Sequence, residues 1–293
     1  MDLTRDFIKD NKSYLAAGAV VVGATCFLYK RWRKRTRICG VDYPKDTVIL
    51  HVFPGNKYIP NMGHFVMKLE TYLRINKIPY QLDFNYQNGP KKKVPWIEYN
   101  GVTMGDSQLI IEYLNKQLNI DMNSHLSKQE RAIAWAVQKW LEEYTYWLNV
   151  FTRWVIGWDD MMRYVNATKL MALFYTIFMK RQAVKYLYTV GVGRHSNEEI
   201  QEMVVKDLKQ FSEVLGDKRF IMGETITETD CAAFGIISQI RWCTPENCPG
   251  HKLLQSDELK NVTAYLDRIK DTYWADWDDI LAAAGKKGIK NNY

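Results

Sequence analysis

Short β-branched runs alternating with helical patterns fill the first third of the soluble chain, and helical patterns alone fill the rest. Thr47-Val48-Ile49-Leu50-His51-Val52-Phe53 is a β-branched apolar run stopped by Pro54-Gly55, which predicts a first strand and a turn. From Phe65, apolar positions recur at helical spacing through Leu69 and Leu73 to Arg74-Ile75-Asn76-Lys77. Ile78 to Phe84 then reads as a second strand with Pro79 at its start. Lys93-Val94-Pro95 leads into a third strand, Trp96 to Tyr99, and Asn100-Gly101 is a hairpin signal with Val102 and Thr103 beginning the return strand. Pro95 has no N–H for the ladder, so it belongs at a strand start or an edge, with a cis bond as one option there. Gly105-Asp106-Ser107 opens the next helix.

Past Asp121 no strand-like alternation remains. Ser127 to Trp147 is one helical pattern, followed by Asn166 to Thr189 and Ser196 to Leu215. Thr227 and Asp230 have the spacing of a capping box ahead of the apolar stretch Cys231 to Ile237. This divides the chain into a mixed α/β domain, residues 46–120, and an all-helical domain, residues 121–293, behind an N-terminal segment of residues 1–45.

Residues 13–29 contain no charge and at helical rise cover roughly 25 Å, which predicts a transmembrane helix anchored by Tyr14 and Tyr29. Lys30, Arg31, Arg33, Lys34, Arg35 and Arg37 follow it. By the positive-inside rule the expectation is a single-pass membrane protein whose globular part is cytosolic, with the mitochondrial outer membrane, endoplasmic reticulum and lysosome left open. The same six cations account for most of the net charge of +7, so the remainder is close to neutral and no nucleic-acid partner is expected. Five cysteines without regular spacing argue against a disulfide-stapled fold.

Val94-Pro95 before a strand and Asp106-Ser107 opening a helix resemble the glutathione-binding half of the glutathione transferase superfamily. The resemblance implies a thioredoxin-like N-terminal domain plus an all-α transferase C-terminal domain. It also implies a glutathione site in which the Val94 backbone at Pro95 pairs with an extended peptide, while Asp106, Ser107 and the first amides of the helix hold a carboxylate. Lys68, Glu70, Leu73 and Arg74, Lys77-Ile78-Pro79-Tyr80 and the late Tyr273-Trp274-Ala275-Asp276-Trp277-Asp278 are similar to the failed axon connections family, which includes nematode cadmium-responsive proteins and is related to metaxins. That branch implies a stress or metal response, or an adaptor role with a protein partner; the superfamily implies a homodimer.

A transferase stabilises the glutathione thiolate with a hydroxyl or thiol near the start of the first helix. Here Gly63-His64 stands where the family commonly has Ser-Pro, so the usual donor is missing and conjugation is expected to be weak or absent. Tyr58 and His64 are the catalytic candidates, with Asn61 a further amide donor. Cys243, Cys248 and His251 fall short of a tetrahedral metal site and read as a loop; no metal is expected. Lys91, Lys92 and Lys93 read as a solvated charge run.

Overall fold

The computed structural model describes residues 44–84, 89–165, 167–168, 172–173 and 175–286. Residues from Lys45 onward form one compact unit. The membrane helix expected over residues 13–29 lies outside the described residues. Among the described residues no helix is long and apolar enough to cross a membrane, which corrects the expectation of a single-pass membrane protein.

Four strands form one sheet in the order β2-β1-β3-β4: β1 Val48–His51, β2 Tyr80–Asp83, β3 Trp96–Tyr99 and β4 Val102–Gly105. β1 runs parallel to β2 and antiparallel to β3, which pairs antiparallel with β4. This is the thioredoxin-like arrangement that the order of elements implied. Asn100 and Gly101 both have positive φ, 46° and 82°, as a tight hairpin turn between right-twisted strands requires. Every residue of β1 is buried, so its side chains are apolar on both faces up to His51.

Helix α1, His64–Ile75, covers the sheet with Val66, Leu69 and Leu73 and turns Met67 toward a second core made by the helices. α2 is Ser107–Leu118. α3, Lys128–Trp140, is held at its start by a reciprocal capping box between Ser127 and Glu130. It continues through a π-helical turn, Leu141–Thr145, into α4, Tyr146–Phe151, and through a second such turn, Thr152–Ile156. α5 is Trp158–Tyr164, α6 Arg181–Val190 and α7 Asn197–Leu215.

The centre of the molecule is α8, Glu228–Trp242, buried from Glu228 through Ile240. Its start is fixed by Asp230. One carboxylate oxygen accepts from the Thr227 amide at 2.8 Å and hydroxyl at 2.7 Å, the other from the Ile221 amide at 2.9 Å and the Tyr265 hydroxyl at 3.0 Å. Burial is the larger effect and raises the Asp230 carboxyl above its ordinary value, while the four donors offset part of that rise. Three further helices, α9 Pro249–Leu254, α10 Lys260–Tyr273 and α11 Trp277–Lys286, close the core.

α8 lies directly against α1. A Cβ at Gly235 would stand 2.6 Å from the His64 carbonyl oxygen and 2.7 Å from the Lys68 amide nitrogen, both backbone atoms. Only glycine permits this approach. In an isolated helix Gly→Ala is stabilising by about 1 kcal/mol. Here Gly235→Ala should have the opposite sign and cost about 1–3 kcal/mol, read as a lower urea midpoint at unchanged slope.

Candidate functional site at one end of the sheet

The register assembles the site. β3 and β4 pair with Trp96 opposite Gly105, so Pro95 and Asp106, the next residues outward, leave the hairpin at the same end. β1 pairs His51 with Trp96, so the loop from Val52 to Gly63 leaves from that end too. The Val94-Pro95 bond is cis. Val94 is half-buried and Pro95 buried, while Lys91, Lys92 and Lys93 are exposed.

Asp106 occupies φ 89° and ψ 117°, a region that a residue with a Cβ enters at a cost of about 1–3 kcal/mol. Its carboxylate caps α2 by accepting from the amides of Gln108 at 3.1 Å and Leu109 at 3.3 Å. Ser107 is buried in the first turn. Beneath it runs a charged network that sequence reasoning missed. Lys68 is buried on α1 and donates to Gln108 Oε1 at 2.7 Å and Glu142 Oε1 at 2.6 Å; Gln138 donates to the same two oxygens at 2.7 and 3.0 Å. Burial alone would push the Glu142 carboxyl up, but Lys68 and Lys139 more than offset it and hold it below the usual range.

The loop before α1 is braced by asparagines. Asn56 Oδ1 accepts from the amides of Tyr58 at 2.8 Å and Ile59 at 3.0 Å. Asn61 donates to the Phe53 carbonyl at 2.5 Å and accepts from the Gly63 amide at 2.9 Å. Asn61, an amide-donor candidate on sequence, is thus committed to the backbone. Gly63 caps α1 with no side chain, and a Cβ there would meet a Val66 methyl at 2.9 Å, so the hydroxyl-bearing residue expected at this place does not fit this packing.

His64 is buried, its ring edge-on to Tyr146 with centroids 4.9 Å apart, and its Nε2 has no hydrogen-bond partner. Burial first, and the Arg153 guanidinium second, hold its pKa well below the ordinary 6.5. The imidazole is therefore neutral at pH 7. Tyr58 is half-buried and packs edge-on against Tyr164 at 4.8 Å. Arg153, which carries no sequence signal of its own, donates to the Met62 carbonyl at 3.1 Å and to Gln239 Oε1 at 3.0 Å, and Gln239 in turn donates to the Asn61 carbonyl at 2.9 Å. α8 and the second π-helical turn thereby pin the backbone that starts α1.

Cys243 is buried and receives a weak hydrogen bond from Asn56 Nδ2; Cys248 stands at the start of α9. Among the described residues no group of His, Cys, Asp and Glu could hold a metal ion.

Glutathione S-transferase N-terminal and C-terminal domain profiles match residues 64–161 and 204–269. With the sheet topology and the helical core, these matches place the chain in the glutathione S-transferase-like family. Within that family it is a relative of Failed axon connections from Drosophila melanogaster, 28% identical over 254 residues, covering 82% of this chain and 61% of the fly protein. The chain thus spans less than two thirds of that relative. It is also similar to an isoprene-epoxide glutathione S-transferase of Rhodococcus, 29% identical over 73% of this chain and 94% of the bacterial one. Among solved structures, the beta-etherase LigF of Sphingobium shares the fold with a TM-score of 0.53 at 17% identity, over 76% of this chain and 94% of that one. A rice glutathione S-transferase solved with glutathione shares it at 0.50 and 14%, over 83% and 93%.

The unfolded chain takes up a proton at His64 near pH 6.5, and the folded chain does so only at much lower pH. Stability should therefore fall as the pH drops below that value, by at most about 1.4 kcal/mol per pH unit from this residue. Denaturation midpoints between pH 7 and 5 should show this slope in the native protein and a shallower one in His64→Gln.

Proposed function

We propose that this chain binds glutathione at the end of the sheet and acts as a glutathione transferase-like protein of stress or metal response with weak conjugating activity. The observation that carries the reading is the shared exit of Val94-Pro95 and Asp106-Ser107 from the β3–β4 hairpin, at the end of the sheet from which the loop to the uncapped start of α1 also leaves. In this reading the N–H and C=O of Val94 pair with the peptide backbone of glutathione. Ser107 and the first amides of α2 take a ligand carboxylate, aided by the helix dipole, and Asp106 holds that turn in its unusual conformation. Glutathione is the ligand or cosubstrate, and two copies of the chain form the homodimer common among such proteins.

Weak conjugation follows from the missing hydroxyl at Gly63 and the enclosure of His64. Tyr58, half-buried in the loop before α1, offers a hydroxyl at this end of the sheet. A second reading, a non-catalytic adaptor for a protein partner, draws on Leu173, Phe178, Tyr186 and Tyr188, large side chains exposed in the helical part. Interfaces are enriched in such residues.

Calorimetric titration with glutathione should show binding, and Ser107→Ala should weaken it about tenfold or more, the worth of a hydrogen bond to a charged group. Absence of binding to the native protein would leave the adaptor reading standing. With an aryl halide as second substrate, Tyr58→Phe should lower turnover at least tenfold and His64→Gln should leave it within about twofold of native; the reverse ranking would assign the chemistry to His64.

A further inference from the structure

A buried positive charge lies at the start of α1, where the family places its thiolate-stabilising hydroxyl and this chain has glycine. The Arg153 side chain is 2% exposed. Both acceptors of its described hydrogen bonds, the Met62 carbonyl and Gln239 Oε1, are neutral. Its Nε is buried with no partner, and among the described residues it forms no ion pair. Its charge is felt by the imidazole of His64 on α1, the phenol of Tyr146 on α4 and the thiol of Cys243 after α8. A guanidinium removed from water without a counter-ion costs several kcal/mol.

We propose that Arg153 supplies the positive charge that holds the sulfur of bound glutathione as a thiolate, in place of the hydroxyl absent at residue 63. This rests on the glutathione reading above and deepens it by naming the ionised form of the ligand. The S–H bond breaks, the proton leaves to solvent, and the electron pair stays on sulfur. Arg153 acts across the first turn of α1 without forming a bond: its field adds to that of the uncapped helix start, where the Met62 carbonyl that it grips fixes the backbone. His64 lies in the same field and, held neutral by burial first and by Arg153 second, adds no charge of its own. Arg153 itself supplies charge but no directional donor, which accords with slow conjugation.

The test is a thiol titration followed by thiolate absorbance, taking the glutathione complex minus the S-methylglutathione complex to cancel the protein's own cysteines. In the native protein the bound thiol should titrate at least one pH unit below the value near 8.5 of a free thiol. Arg153→Met should raise that midpoint by about one unit or more, and Arg153→Lys should restore most of the difference while keeping the affinity. Bound glutathione that titrates at the free value in the native protein overturns the proposal whether or not the variants fold. A midpoint unchanged in a folded Arg153→Met overturns it as well. Failure of the native protein to bind glutathione would instead overturn the reading on which the proposal rests.

Discussion

The close approach of α1 to α8 at Gly235 is the constraint on which the other features depend. Two helices whose backbones touch leave no room for adjustment, so the side chains around the contact are set in place by it. Gln239, one turn further along α8, reaches the Asn61 carbonyl; Arg153 reaches the Met62 carbonyl directly and donates to the same Gln239. The start of α1 is therefore positioned from the helical part of the fold, although the strand that feeds it belongs to the sheet. Asp230 fixes the other end of α8, and the four hydrogen bonds to its carboxylate explain why a threonine and an aspartate three residues apart precede this helix.

The motifs that carry the family resemblance meet on α1. Lys68, Glu70 and Arg74 lie on α1 and carry three different duties. Lys68 joins Glu142 and Gln108 beneath the candidate ligand site. Glu70 accepts from Arg74 at 3.1 Å and from the Tyr80 hydroxyl at 2.9 Å. Arg74 reaches across to Asp276 at 2.6 Å and stacks over Trp274 at 4.0 Å, while the Trp274 indole donates to Thr71 at 3.2 Å. A pattern on the first helix and a pattern near residue 276 are thus two halves of one clamp. Burial raises the Glu70 carboxyl above its ordinary value, and Arg74 and Tyr80 offset only part of that rise.

At the site, the chain trades a directional donor for an enclosed charge. Glycine at 63 leaves the first amides of α1 without a cap, Asn61 is occupied with its own loop, and His64 is folded under Tyr146. The second π-helical turn carries Arg153 to the place where these groups meet. Wider turns of this kind shift a side chain out of the regular helical series and are frequent at functional sites.

Local pattern was sufficient for the elements. The β-branched run at 47–53, the Asn-Gly turn, the helix-opening Asp106-Ser107 and the capping spacing at 227–230 each encode their conformation within a few residues, because the physics involved acts over one turn. The pairing of Val94-Pro95 with Asp106-Ser107 was legible as well, since a two-residue hairpin forces the residues flanking its strands together. Expectations that depended on distant contacts were not legible. The burial of His64, the Lys68 network and the place of Arg153 depend on contacts from 30 to 91 positions apart, and nothing in their local sequence announces their partners. Periodicity is a property of neighbours along the chain. Which charge lies beneath which helix start is decided only when two cores pack against the opposite faces of α1.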